Sequence, residues 1–131
     1  MSGVLFDSDV IIEILRQRRR EIVQSWTDLA DSGEPTFYSP VSLAEIRHGM
    51  RKQEVEAIEL FFDQTQCVSI GDEIGRRAGD YLRSFHASHG LMLGDALIAA
   101  TASIHGLRLW TYNRKHFPMK DVRFHLLPGH Q

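Results

Sequence analysis

Apolar residues alternate between two patterns along this chain. Short continuous runs such as Val4–Phe6 are typical of buried strands, whereas the apolar residues Val10, Ile11, Ile14 and Leu15 recur at helical spacing. The same alternation continues to the end of the chain, and its clearest helix is the apolar segment 96–102, with Gly106 as its expected C-terminal cap. The pattern predicts strands at 4–6, 36–39, 67–70, 107–111 and 124–127, separated by helices at about 10–15, 21–30, 41–50, 55–62, 74–85 and 95–102.

Strands that alternate with helices predict an α/β fold with a mostly parallel sheet covered by helices on both faces. Ligands of such sheets bind in the crevice beyond the carboxyl ends of the strands. Asp7 and Asn113 each follow a predicted strand and are expected there, while Glu45 and Asp95 are expected in the first turns of helices that face the same crevice.

Length and composition narrow the alternatives. The 131 residues are 43% hydrophobic, which suits one core, so we predict a single domain over residues 1–131. The 15 basic and 17 acidic side chains nearly balance, so any nucleic-acid contact must be local. The lone Cys67, the absence of a secretory signal and the absence of an apolar run of roughly 20 residues predict a cytoplasmic protein without membrane contact.

The acidic residues predict metal chemistry. Phosphodiester hydrolysis with Mg²⁺ or Mn²⁺ uses carboxylate ligands that leave positions for water and a substrate phosphate. Asp7, Glu45 and Asp95 offer that donor set, and their convergence with Asn113 would not be expected of unrelated helix caps. Each also has a local interpretation: Ser42 and Glu45 fit a capping box, and the aspartates could cap the helices they precede.

Four motifs in order resemble one family. They are Leu5–Val10, Ser42–Gly49, Gly94–Ala102 and Thr111–Phe117, and together they are similar to the motifs of PIN-domain ribonucleases, the VapC-type toxins of bacterial type II VapBC toxin–antitoxin systems. The resemblance implies a three-layer α/β/α sandwich with a central, mostly parallel sheet of four or five strands. It further implies an endoribonuclease that cleaves a tRNA or rRNA loop, forms a homodimer and is neutralised by a VapB-type antitoxin.

The resemblance also assigns residues. Carried over by position, it implies that Asp7, Glu45 and Asp95 bind the metal and that Asn113 supports them. His116 stands where many members have an acidic residue before the aromatic Phe117, so a fourth carboxylate is missing there. Asp9 is a candidate substitute; alternatively, a second metal binds only with the RNA. Arg114 and Lys115, beside the site, are candidate RNA contacts, as is the run of Arg16, Arg18, Arg19 and Arg20, which is otherwise a solvated helix end.

Two other functions fit parts of the sequence. Phe6–Val10 also matches the opening motif of haloacid-dehalogenase phosphatases, with Asp7 as nucleophile and Asp9 as general acid. That chemistry expects a lysine before the last acidic motif, and none lies between Lys52 and Lys115. The other alternative is a non-catalytic module whose acidic pocket binds a basic partner, which RNA cleavage would distinguish.

Overall fold

The computed structural model describes residues 2–127, so the outermost residues of the predicted domain, 1 and 128–131, lie outside it. Five parallel strands form one sheet in the order β3-β2-β1-β4-β5. Along the chain the elements are β1 (Val4–Phe6), α1 (Ser8–Arg16), α2 (Arg20–Ser32), β2 (Thr36–Tyr38), α3 (Pro40–Gly49), α4 (Val55–Asp63), β3 (Gln66–Cys67), α5 (Asp72–His89), α6 (Leu93–His105), β4 (Arg108–Trp110) and β5 (Arg123–Phe124), with 3₁₀ turns at Lys52–Glu54 and Arg114–His116.

The alternation of side chains along β1 divides the core into two layers. Leu5 packs with residues of α5 and α6 on one sheet face, whereas Val4 and Phe6 pack with residues of α1, α2 and α4 on the other. All three side chains are fully buried. A parallel sheet with helices on both faces confirms the predicted α/β/α sandwich.

Three strands of the sheet determine where the site lies. β1 is central and pairs with β2 and β4, with Phe6 opposite both Tyr38 and Trp110. These strands therefore end side by side, and the residues that follow them meet at one edge. The sheet edge beyond their carboxyl ends is the expected position of a ligand site in this kind of fold.

Three predicted strand or helix boundaries were wrong. β5 covers Arg123–Phe124 rather than 124–127. β3 covers Gln66–Cys67 rather than 67–70, because its partner β2 stops at Tyr38 and offers no backbone beyond it. α3 begins at Pro40, with Ser39 as its N-cap. Proline suits the first helical position, where its missing N–H is not needed, and the Ser39 hydroxyl accepts a hydrogen bond from the Val41 N–H at 3.1 Å.

Candidate metal-dependent nuclease site

All the residues proposed for catalysis or metal binding from the sequence line one cleft at the carboxyl edge of the sheet. Its volume is about 440 Å³, and its lining contains Asp7, Asp9, Glu45, Asp95 and Asn113 with Ser8, Ile12, Met92 and Gly94. A slightly larger cavity of about 500 Å³ lies near the amino end of β2, but the one carboxylate in its lining, Glu34, pairs with Arg108. The chemistry therefore lies in the carboxyl-edge cleft.

Asp7 is the most buried acid of the cleft. It follows β1 directly and caps α1, with one carboxylate oxygen accepting from the Ser8 N–H and the other from the Thr111 hydroxyl, both at 2.8 Å. The side chain is only 8% exposed. Burial, followed by the neighbouring charge of Asp9, raises the pKa of Asp7 from 3.8 to about 7, although the two hydrogen bonds oppose the rise.

Asp9 lies beside Asp7 in the first turn of α1. One of its carboxylate oxygens accepts from the Tyr112 N–H at 3.1 Å, which ties α1 to the segment after β4. The other oxygen is buried and has no hydrogen-bond partner among the described residues. Burial raises the pKa of Asp9 as well, since desolvation disfavours its ionised form.

Glu45 lies in the second turn of α3, so the expected first-turn position and the capping box with Ser42 were both wrong. The cause is the earlier start of α3 at Pro40, capped by Ser39. The Glu45 carboxylate instead accepts a hydrogen bond from the Ser8 hydroxyl at 2.9 Å, and the buried Ser42 hydroxyl lies 2.9 Å from the same Ser8 oxygen. Its contacts thus reach across to α1 and the cleft.

Asp95 and Asn113 complete the far side of the cleft. Asp95 is the third residue of α6, a first-turn position as predicted, although Met92 and not Asp95 is the N-cap. Its carboxylate accepts from the Met92 N–H at 3.3 Å, and it still lines the cleft. Asn113 follows β4, and its backbone N–H donates to the Thr111 hydroxyl at 3.0 Å. Its side chain is exposed and lines the cleft.

Sequence reasoning assigned no role to Ser8 or Thr111. Ser8 joins Glu45 to the backbone turn that holds Asp7, and Thr111 joins Asp7 to Asn113. Both belong to the motifs that carried the resemblance, and the position of Ser8 between Asp7 and Asp9 was a visible signal. Their roles depend on contacts between residues 37 and 104 positions apart, which spacing along the chain does not reveal.

The residues predicted to contact RNA lie next to this site. Arg114 and Lys115 are exposed on the 3₁₀ turn that follows Asn113. His116 ends the same turn, is half-buried and is not among the residues lining the cleft.

The donor set suits a hard divalent cation. Within residues 2–127, every charged group lining the cleft is a carboxylate, and one buried oxygen of Asp9 has no hydrogen-bond partner. Among residues 2–127, however, no three His, Cys, Asp or Glu side chains are gathered closely enough to form a metal-holding group. Carboxylates repel one another without a cation, so this donor set fits a divalent metal. The acids line an open cleft and are not drawn together into one compact ligand group.

Comparison with known proteins identifies the family of this chain. The PIN domain family model matches residues 4–123, which spans the first strand to the last. This chain belongs to the PIN domain family.

Related PIN proteins cover nearly the full chain. Ribonuclease VapC10 of Mycobacterium tuberculosis is 39% identical over 131 residues, which is 98% of this chain and 97% of the relative. A chain of a toxin–antitoxin complex from Klebsiella pneumoniae is 27% identical with a TM-score of 0.74, covering 92% of this chain and 95% of its own. A chain of VapBC2 from Rickettsia felis, bound to a promoter DNA fragment, shares the fold with a TM-score of 0.79 at 19% identity, covering 95% and 98%.

Proposed function

We propose that this PIN domain is a metal-dependent endoribonuclease toxin that is neutralised by a VapB-type antitoxin. The observation that carries the proposal is the convergence of Asp7, Asp9, Glu45, Asp95 and Asn113 in one cleft at the carboxyl edge of the sheet. The nearly full-length similarity to a protein named a ribonuclease, and the fold shared with toxin–antitoxin complexes, support the same activity and the same kind of partner.

The cation that fits this cleft is Mg²⁺ or Mn²⁺, with Asp7, Asp95 and Glu45 as its proposed ligands and Asp9 as a further one. When bound, such an ion would polarise the scissile phosphate and lower the pKa of a coordinated water. Oxygen ligands that leave positions for water and phosphate suit both metals. The cleavage assay described below, run with each metal in turn, distinguishes them.

The side chains divide the remaining work between positioning and proton transfer. The Ser8 N–H and the Thr111 hydroxyl fix both oxygens of Asp7, so its orientation is set before substrate binds. The Ser8 hydroxyl similarly directs Glu45, whose exposed carboxylate we propose orients the attacking water. Asn113 offers an uncharged amide that hydrogen-bonds ligands in the cleft without adding to the repulsion among the acids.

The substrate is proposed to be a single-stranded loop of tRNA or rRNA. Proteins that recognise particular RNA sequences mostly bind single-stranded loops, whose backbone and unstacked bases are accessible. The open cleft can receive the backbone of such a loop.

The homodimer and the cytoplasmic location predicted from the sequence remain predictions. None of the helices in residues 2–127 has the length and hydropathy of a membrane-spanning segment.

The alternatives make different demands on the same cleft. A haloacid-dehalogenase phosphatase needs a lysine near its aspartate nucleophile, and no lysine lines the cleft. A non-catalytic module would bind a basic partner there, because an arginine or lysine side chain can pair with these carboxylates. An antitoxin can use the same contact, so only RNA cleavage separates the two functions.

The test is cleavage of total cellular RNA by the purified, antitoxin-free protein. We expect discrete cut ends with Mg²⁺ or Mn²⁺, no cuts with chelator, and loss of activity in Asp7→Asn and Asp95→Asn. The matched control is Asp80→Asn, the same chemical change at an exposed position of α5, which should cut normally. A folded, metal-supplied protein that cuts no RNA but binds a basic partner regardless of chelator would favour the binding module.

A further inference from the structure

Four arginines gather at the corner between α1 and α2. Gln17 adopts a left-handed conformation, with φ of 55°, and ends α1. The chain then turns so that Arg19 becomes the N-cap of α2 and Arg20 its first residue. Arg16 lies in the last turn of α1, and Arg18 lies between the two helices.

Helix electrostatics account for only part of this cluster. A cation at a helix C-terminus is favourable, which explains Arg16 in the last turn of α1. A cation at a helix N-terminus is unfavourable, and Arg19 provides no side-chain cap to α2. Helix electrostatics therefore do not explain Arg19 and Arg20 at the start of α2, and Arg19 is held there by other contacts, with Glu21 and with Tyr112.

Arg19 also connects the corner to the cleft. Its guanidinium carbon lies 4.8 Å from the centroid of the Tyr112 ring, in a cation–π contact. The backbone N–H of Tyr112 donates to Asp9, and the next residue, Asn113, lines the cleft. A single residue thus lies between the Arg19 side chain and the proposed catalytic site.

The existing ion pairs of the corner leave its cations available to a ligand. Arg18 pairs with Glu13 at 2.7 Å, and although Glu13 is only 14% exposed, the Arg18 side chain itself is 61% exposed. Arg19 pairs with Glu21 at 3.1 Å, and this pair is exposed on both sides, at 47% and 58%. Exposed pairs contribute little stability and exchange readily. A guanidinium also has five N–H donors, so it can hold a carboxylate and a phosphate together.

We propose that this corner binds the RNA backbone on one side of the scissile phosphate. The residues, named here the basic rim, are Arg18, Arg19, Arg20, Arg114 and Lys115. They come from two segments about a hundred positions apart that Tyr112 brings together. Arg114 and Lys115 directly follow Asn113, which lines the acidic cleft, and Arg19 reaches the same stretch of chain through the Tyr112 ring. A strand whose phosphate enters that acidic cleft needs cations nearby to hold its neighbouring phosphates. The inference rests on the proposed ribonuclease function and adds a phosphate-binding surface to it.

The experiment measures binding of a fluorescein-labelled, single-stranded 12-nucleotide RNA in the Asp95→Asn background with Mg²⁺, so that the RNA stays intact. The variant is Arg19→Gln with Arg20→Gln, and Arg76→Gln is the control. Arg76 is a similarly charged, exposed residue on α5, which packs against the opposite sheet face. Each phosphate contact with a single strand contributes about 0.7 to the slope of log affinity against log salt.

We expect the double variant to bind roughly tenfold more weakly near 0.1 M salt and to lower the magnitude of that slope by about 1.4. Its melting temperature should stay close to that of the parent, because removing two cations from a helix N-terminus offsets the loss of the Arg19 contacts with Glu21 and Tyr112. Equal slopes for the double variant and Arg76→Gln would overturn the basic rim. Cleavage by the protein with Asp95 intact is measured in parallel, so loss of the basic rim and failure of the ribonuclease proposal give different results.

Discussion

Asp7 should limit the stability of the metal-free protein, and its replacement by asparagine tests this. Asparagine has the same shape and can keep both contacts: its oxygen accepts from the Ser8 N–H, and its amide donates to the Thr111 hydroxyl oxygen after the hydroxyl rotates. The variant therefore removes a buried charge without opening a cavity. It also removes the repulsion between Asp7 and Asp9.

The magnitude follows from the pKa of Asp7. A rise from 3.8 to about 7 corresponds to about 4 kcal/mol of folding free energy, at about 1.4 kcal/mol per pKa unit. This is an upper bound, because relaxation and water penetration reduce the cost of a buried charge. We expect Asp7→Asn to stabilise the metal-free protein by about 2 kcal/mol at pH 8, which raises the melting temperature by roughly 8 °C for a chain of this size.

The sign of the pH dependence is fixed by the same shift. Below pH 3.8 Asp7 is protonated in both the folded and unfolded states and contributes no difference. Between pH 4 and 7 the unfolded state releases the proton while the folded state keeps it, so the wild type loses stability as pH rises. The advantage of the variant should therefore grow from about pH 4 to about pH 7 and stay constant above that.

Thermal unfolding followed by circular dichroism, with chelator and at several pH values, measures this difference. The control Asp80→Asn changes an exposed aspartate and should melt like the wild type at each pH. An Asp7→Asn protein that melts below the wild type at pH 8, or by the same margin at pH 5 and pH 8, would refute the reasoning. The expected result pairs higher stability with lost RNA cleavage.

Three further predictions concern the metal and the side chains that position the acids. Added Mn²⁺ or Mg²⁺ should stabilise the wild type by about 2.7 kcal/mol at a hundred times its Kd and leave Asp7→Asn nearly unchanged, as melting curves would show; equal stabilisation of both would place the metal elsewhere. Thr111→Val removes a hydrogen bond that lowers the pKa of Asp7, so the acid side of the pH–rate profile should move to higher pH, and an unmoved profile contradicts this role. Ser8→Ala releases Glu45 and should lower kcat about tenfold or more with little change in RNA affinity, measured by single-turnover cleavage, whereas a loss confined to affinity would assign Ser8 to binding.

The amino-acid pattern was sufficient for the order of elements and for the side of the sheet on which the acids meet. Apolar runs such as Val4–Phe6 form strands because they are buried on both faces, and parallel pairing brings their carboxyl ends together. Asp7 and Asn113 could therefore be placed from sequence alone. The motif resemblance supplied the roles that spacing could not.

What the pattern could not predict were contacts decided by competition between local signals. Ser42 and Glu45 form a capping signature, yet Ser39 and Pro40 together form a stronger helix start three residues earlier. Glu45 is consequently free to meet Ser8. The end of β3 was equally inaccessible, because it depends on where β2 stops.

The contacts of Asp7 also have a consequence for the synthesis of this protein. The hydroxyl that holds Asp7 belongs to Thr111, 104 residues further along the chain, and the tie between Asp9 and Tyr112 spans 103. β1 lacks its β4 neighbour until that last part of the chain has been made. Nascent or truncated chains that end before β4 therefore lack an assembled cleft. The assembled cleft, and any activity that depends on it, therefore exists only after nearly the whole chain has been translated and folded.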